Sequence, residues 1–295
     1  MFVSAQLTNR RRKSRASGCG SPLPRWAVGK EFAIRSLCAG RKLSYRRWRP
    51  VPEWRVTDMS ANESENSILS GLDRNEAAML VSAATNVPLE QGQLIAEAGH
   101  AAPYVYFPIE GVLSLVGTTS GGATVELAVV GNEGVASISA ILGADYLPFR
   151  VVAQVPGRAV RIPTDIVTRG VSECGDLHQR VMGYAHHLIA QVAQSAICNR
   201  FHNAKQRLAR WLLMTADRAD SNELALTHEF ISYMVGGPRS AVTEAASELR
   251  DAGAIDYRRA RIVICDPDKL RAQACECYDV LQPEKATVGP ASGIA

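Results

Sequence analysis

No stretch of 18 or so uncharged apolar residues occurs in the 295-residue chain. That is the length a helix needs to cross a bilayer core, so no membrane-spanning helix is expected. The N-terminus has arginines but no apolar h-region, which argues against a secretory signal. Cys-x-x-Cys pairs are missing as well. The seven cysteines, at 19, 38, 174, 198, 265, 275 and 277, are scattered, and Cys275 and Cys277 stand closer than the usual zinc spacing. The expectation is a cytoplasmic protein with reduced cysteines, no metal site and no cofactor. Histidine is scarce where a metal-dependent β-barrel enzyme would need it: His100, His178, His186, His187, His202 and His228 all lie outside the apparent strands. With no Ser/His/Asp or paired-carboxylate signature either, catalysis is not expected.

What is present is unevenly distributed. Residues 1–58 hold 14 Lys and Arg against three acids, whereas the remaining residues carry 19 Lys and Arg against 26 acids. The formal charge of +4 therefore comes from the N-terminal segment alone. This segment reads as a disordered, dispensable extension, or as sequence upstream of a start at Met59; a phosphate-binding arm is the other reading. Foldable periodicity begins soon after Met59. The hydrophobic share of 46% is enough for more than one core.

Residues 64–85 read as one or two short helices. From 93 to 163 short apolar or alternating runs alternate with Gly and Pro, as strands do: 94–96, 104–107, 112–116, 125–130, 135–142, 150–155 and 159–162. Gly121-Gly122 suits a tight hairpin. Such spacing implies a barrel or sandwich. The pattern then changes. Between about Asp176 and Phe201 there is no proline, and apolar residues recur at helical spacing. This helix is about 39 Å long at 1.5 Å per residue. Its apolar stripe is too wide for one neighbour, so Val181, Ala185, Leu188, Ile189, Val192 and Ala196 are the expected dimer interface. Asn203, with Gln206 three residues on, starts a new helix by a capping box and makes a hinge.

Thr227 can cap a short helix with Phe230, Ile231, Met234 and Val235 inside. Gly236-Gly237 ends it, and Pro238 suits the start of the next. In that helix Val242, Ala245, Ala246 and Leu249 face inward, while Ser240, Thr243, Glu244 and Ser247 share the opposite face. This is a helix-turn-helix arrangement. Arg239, Ser240, Thr243 and Glu244 are the expected base contacts. Residues 254–257 and 261–265 read as a hairpin wing, from which Arg258, Arg259 and Arg261 reach phosphates together with Thr227. Against this, residues 204–265 carry nine Lys and Arg and eight acids, so the DNA-facing charge has to be local.

The order of β-roll, long helix, hinge and winged helix resembles the CRP/FNR family, named for the cyclic-AMP receptor protein and the fumarate–nitrate regulator. Tyr104-Val-Tyr-Phe-Pro-Ile-Glu-Gly111 resembles the family's second-strand turn. Leu226-Thr-His-Glu-Phe-Ile-Ser-Tyr-Met-Val-Gly-Gly-Pro-Arg-Ser-Ala-Val-Thr-Glu244 resembles its helix-turn-helix, and Phe201 stands where the family often has an aromatic before the hinge. The resemblance spans about residues 64–280. It implies an α+β chain with a cyclic-nucleotide-binding-like β-roll at 59–173, a dimerisation helix at 174–203, a winged helix-turn-helix at 204–282 and a tail at 283–295. It also implies a homodimer that binds a palindromic site in double-stranded DNA and contacts RNA polymerase. The departures are specific. Cyclic-AMP binders hold ribose and phosphate with Gly-Glu-Leu and Arg-Ser, and here Gly134-Val135-Ala136 and Leu147-Pro148 stand instead. The adenine-reading Thr-Ser pair falls at Val192-Ala193. No cysteine cluster suits an iron–sulfur centre, and His100 reads as a loop residue rather than a haem ligand. A cyclic-nucleotide-responsive regulator is the alternative reading. In the recognition helix Arg239 matches a family base contact, while Ser240 and Glu244 replace the usual Glu and second Arg.

Overall fold

The structure, a computed structural model, describes residues 54–55, 66–70, 72–173, 175–258 and 261–281. In chain order the elements are β1 (Trp54–Arg55), α1 (Arg74–Ala83), β2 (Thr85–Leu89), β3 (Leu94–Ala96), β4 (Tyr104–Thr118), β5 (Thr124–Val130), α2 (Ile138–Ile141), β6 (Arg150–Pro163), α3 (Thr164–Ser172) and α4 (Asp176–Phe201). After the hinge come α5 (Ala204–Ala219), β7 (Glu223–Leu224), α6 (His228–Val235), α7 (Arg239–Asp251), β8 (Ile255–Arg258), β9 (Arg261–Ile264), α8 (Pro267–Gln273) and α9 (Cys277–Val280). The large sheet is antiparallel in the order β1-β2-β6-β4-β5, with β3 also paired to β6. Trp54 and Arg55 lie inside the stretch read as an extension, yet pair as an edge strand with Asn86 and Thr85. The rest of 1–58 and the tail from 282 lie outside the described residues.

Four expected strands are two. The runs at 104–107 and 112–116 join as β4, and those at 150–155 and 159–162 join as β6. The two strands bend together through successive bulges. Gly111 has φ +83 and its missing Cβ would sit 2.6 Å from the Val155 carbonyl oxygen; one on Gly157 would sit 2.2 Å from that of Glu110. Only glycine admits that approach. The run at 135–142 is a correction: it forms α2, entered through Ser137 at φ 65. A short, wholly buried apolar run has no periodicity to separate strand from helix.

The sheet carries a core on each face, as the two-residue alternation of a strand requires. Leu113 and Leu115 of β4 join the inner core with Phe107, Leu147, Ile162, Leu177 and Val181. Val112 and Val116 point the other way, into a second core with Leu208, Leu212, Ile231, Val242 and Leu249. So α5 lies directly on the outer face of β4–β6.

Helix α4 runs along the edge strand β5. The Gln191 amide treats that edge as a partner: it accepts from the Val129 N–H at 2.5 Å and donates to the Val129 carbonyl at 3.2 Å. At its N-terminus the Glu76 carboxylate accepts from Leu177 N–H at 3.3 Å, a side-chain cap at the positive end of the helix dipole. Asn203 and Gln206 form the expected capping box at the start of α5.

Polar groups between sheet and α5 are satisfied as a chain. Trp211 Nε1 donates to Glu126 at 2.8 Å. The Ser114 hydroxyl lies 2.6 Å from the other Glu126 oxygen and 2.5 Å from Gln154 Oε1, and Gln154 donates to Thr215 at 2.9 Å. One hydroxyl proton cannot serve two acceptors, so a protonated Glu126 completes the set by donating to Ser114. Burial pushes the Glu126 carboxyl up accordingly, from 4.5 to about 7, against the lowering effect of its contacts with Ser114 and Trp211. Because the folded-state value is raised, the stability this group contributes is fully present below pH 4.5 and is lost as pH rises through about 7. Glu126→Gln keeps a neutral donor and acceptor there. It should flatten the fall in thermal midpoint between acid and mildly alkaline buffer; an unchanged pH profile would remove Glu126 from this role.

Candidate nucleic-acid interface

The helix-turn-helix is positioned by glycine and by its inner faces. Gly236 (φ +71) and Gly237 (φ +138) form the turn, a backbone path that side chains rarely take. Arg207 of α5 donates to the Gly236 carbonyl at 3.1 Å. Pro238 takes the N-cap of α7, one residue ahead of the expected first-turn place. Val242, Ala245, Ala246 and Leu249 are buried, as read from the sequence. Arg239, Ser240, Thr243 and Glu244 are all exposed, and Ser247 beside them is half-buried.

These four side chains differ in freedom. Thr243 Oγ1 donates to the Arg239 carbonyl at 2.9 Å and lies 3.3 Å from His228 Nδ1. Its hydroxyl is already engaged, so the methyl is the part offered outward. Glu244 has no ion-pair partner among the described residues. Thr227 caps α6 by accepting from Phe230 N–H at 3.1 Å, and its own proton stays available for a further acceptor.

His228 was not singled out by the sequence. It opens α6, touches Thr243 of α7, and sets its ring 4.1 Å from that of Tyr257 on the wing. Burial and the Arg239 charge push its pKa below the ordinary value, so at neutral pH it is an uncharged spacer joining the three elements of the reading face. A lone histidine before a helix gives no sequence signal of this; only the juxtaposition of α6, α7 and β8 does.

The wing is a three-stranded sheet in the order β7-β9-β8. Arg258 pairs with Asp256 at 2.7 Å, and Arg261 pairs with Glu223. Both guanidiniums are exposed, so the carboxylates hold them at the wing's surface. Arg259 lies outside the described residues.

The expected dimer interface needs a correction. Val181, Ala185 and Leu188 are buried in the chain's own inner core, because that stripe of α4 covers the β-sheet domain. Ile189, Val192 and Ala196 are exposed, and so are Ile197 and Phe201; Ile189 and Phe201 are 68% and 72% exposed.

The pocket positions of the sheet domain are filled. Val135, Ala136 and Leu147 have no exposed surface and pack in the inner core with Ile138 and Ile141. The Tyr184 ring of α4 lies against Gly134, where a Cβ would come within 2.2 Å of it.

Two families match in the order the geometry suggests. The cyclic nucleotide-binding domain matches residues 86–173, and the Crp-like helix-turn-helix domain matches residues 206–273. The chain belongs to the CRP/FNR family of transcription regulators. Solved structures of similar fold include a CRP/FNR-family regulator of Eubacterium rectale, with TM-score 0.59 and 16% identity over 72% of this chain and 99% of that one. FixK2 of Bradyrhizobium japonicum gives 0.54 and 15%, over 65% and 98% of the two chains. A CRP-family regulator of Thermus thermophilus gives 0.53 and 20%, over 64% and 96%. At these identities the likeness is one of fold. No curated protein matches the sequence. The CRP/FNR proteins are DNA-binding regulators and not enzymes, and no helix among the described residues is long and apolar enough to cross a membrane.

Within this family the filled sheet-domain pocket has a direct consequence. A phosphodiester placed against Leu147 would meet an apolar side chain where the resemblance places an arginine, and burying it unpaired costs several kcal/mol. Cyclic AMP at physiological concentration should therefore not bind, and calorimetric titration of the full chain should show no saturable heat; a micromolar Kd would overturn this.

Proposed function

We propose that the chain acts as a cytoplasmic homodimer that binds a palindromic promoter site through α7 and, from there, engages RNA polymerase, the partner that the family resemblance implies. The observation that carries the dimer is the exposed stripe of α4. Ile189, Val192 and Ala196 recur at three- and four-residue spacing, with Ile197 beside them, on the exposed side of the helix. A second copy of α4, related by a two-fold axis, covers the same residues with themselves. Two-fold symmetry then sets two copies of α7 in opposite senses, which is what a palindrome presents. A charge at the centre of such a seam has no partner. Ile189→Glu should convert the protein from dimer to monomer in light scattering at micromolar concentration, with its far-UV circular dichroism unchanged; a variant that stays dimeric would place the interface elsewhere.

For DNA, the supporting observation is that α7 buries Val242, Ala245, Ala246 and Leu249 and presents Arg239, Ser240, Thr243 and Glu244 on its exposed side. Arg239 at the first turn can donate two hydrogen bonds to a guanine edge, and Glu244 can only accept, so cytosine N4 is its natural partner. Arg258, Arg259 and Arg261, with Thr227, hold phosphates and carry no sequence information. Arg258 and Arg261 each exchange a carboxylate for a phosphate on binding, so the near-neutral charge of this unit does not exclude the contact. Arg239→Ala or Glu244→Ala should cost roughly 1–3 kcal/mol on the specific site and relax preference at one base pair per half-site. Arg258→Ala should weaken all DNA alike and make the salt dependence shallower. A panel of single-base operator variants separates the two classes, and unchanged preference in both α7 variants would refute the reading face.

A further inference from the structure

Three of the scattered cysteines meet in the folded chain. Cys198 and His202 lie four residues apart at the C-terminal end of α4, Cys275 lies between α8 and α9, and Cys277 opens α9. One ligand atom from each of the four falls within 4.8 Å of all the others. Cys198 Sγ is 3.5 Å from Cys275 Sγ, and Cys277 Sγ is 3.4 Å from His202 Nδ1. A tetrahedral ion with sulfur at 2.3 Å holds its sulfurs about 3.8 Å apart, so these side chains need only small shifts to surround one. All three cysteines are at least 96% buried, which leaves no open coordination position facing solvent.

The surroundings are those of a ligand set. His202 turns Nδ1 toward the sulfurs, and its Nε2 lies 3.2 Å from the Glu276 carboxylate, an arrangement that fixes the tautomer and raises ligand basicity. Gln194 Nε2 donates to Cys277 Sγ at 3.0 Å. The Arg210 guanidinium, itself only 8% exposed, lies near enough to act on Cys198 and Cys277 and would offset the net negative charge that three thiolates leave around a dication.

We propose that Cys198, His202, Cys275 and Cys277 form a closed, mononuclear tetrahedral site for a zinc-type divalent cation. Three thiolates and one imidazole select such an ion over oxygen-preferring cations. The ligands come from both sides of the Asn203 hinge. Tyr278, next to Cys277, donates to Asp217 of α5 at 2.9 Å, so a bound ion ties the end of α4 to the unit that carries α7. Spacing along the chain hides this set, because Cys275-x-Cys277 is not a zinc motif by itself and its partners stand more than 70 residues earlier.

Cobalt titration of the full, reduced chain tests the site. It should take up one Co2+ per chain with the intense visible bands of a tetrahedral ion and sulfur-to-cobalt charge transfer, and Zn2+ should bleach them. Cys277→Ser should lose most of the charge-transfer intensity. Glu276→Ala, at an exposed position that leaves the fold intact, should weaken Co2+ binding roughly 10–100-fold. Cys265→Ser, whose sulfur lies outside the set, should leave the spectrum unchanged. Zinc loading should also slow amide exchange around Cys275 and Tyr278. The weak bands of an oxygen-ligated Co2+, a Glu276→Ala protein that binds as tightly as wild type, a signal that follows Cys265, or unaltered exchange would each overturn the proposal.

Discussion

The sheet is buried on both faces, and the rest of the molecule follows from that constraint. β4 sends Leu113 and Leu115 into one core and Val112 and Val116 into another, so α5 cannot leave the outer face without exposing valines that the β-sheet domain otherwise keeps dry. Between those valines sits Ser114, fully buried, and a polar group there must be satisfied. Its partners Glu126 and Gln154 come from β5 and β6, and theirs, Trp211 and Thr215, are one helical turn apart on α5. Apolar burial holds the helix down, and the polar chain fixes its position along the sheet. The Arg218–Glu133 pair at 2.7 Å adds a third fixed point near the end of α5.

α4 meets the opposite demand. Its inner stripe, Val181, Tyr184, Ala185 and Leu188, completes the β-sheet domain, and Gln191 completes the edge of β5. A helix of 26 residues has more circumference than one sheet can cover. The side left over carries Ile189, Val192 and Ile197, exposed along the same rod whose inner stripe seats on the sheet.

Long-period features were legible in the sequence. α4 matches its expected span because neither proline nor glycine interrupts its apolar spacing except at Gly183, which meets nothing within 4 Å. The capping box at Asn203 and the split of α7 into inner and outer faces also follow from periodicity. Reading failed where the period was too short or the partner too distant. β4 and β6 looked broken because Pro108, Gly111, Pro156 and Gly157 mark bends and not ends. The run at 135–142 was too buried to show a face. Three residues of the expected dimer stripe, Val181, Ala185 and Leu188, were assigned to the wrong partner because apolar spacing reports that a face is covered and not by what. His228 and the Cys198–Cys277 cluster depend on contacts between segments 15 to 79 residues apart, which no local pattern encodes.

The filled pocket changes what the β-sheet domain can contribute. With Val135, Ala136 and Leu147 in the inner core, those positions offer an anionic nucleotide no charged side chain, and groups that bridge the two cores are where a change of state can act. Among the described residues those groups include the Glu126 chain, the Arg218–Glu133 pair, the Gln91 amide that donates to the Ala225 carbonyl at 2.5 Å, the Arg210 guanidinium that donates to Ser195 of α4 at 3.3 Å, and the four side chains gathered on both sides of the hinge. Each joins α4 or the sheet to the unit bearing α7. Two of these can change state: Glu126, whose carboxyl is raised to about 7, by losing its proton, and the thiol–imidazole set by exchanging protons for an ion. Glu126 bonds to Trp211 of α5, and Tyr278 beside the second set bonds to Asp217 of α5, so in either case the element that responds is the seating of α5 and, through Arg207 and the Gly236 carbonyl, the turn that aims α7.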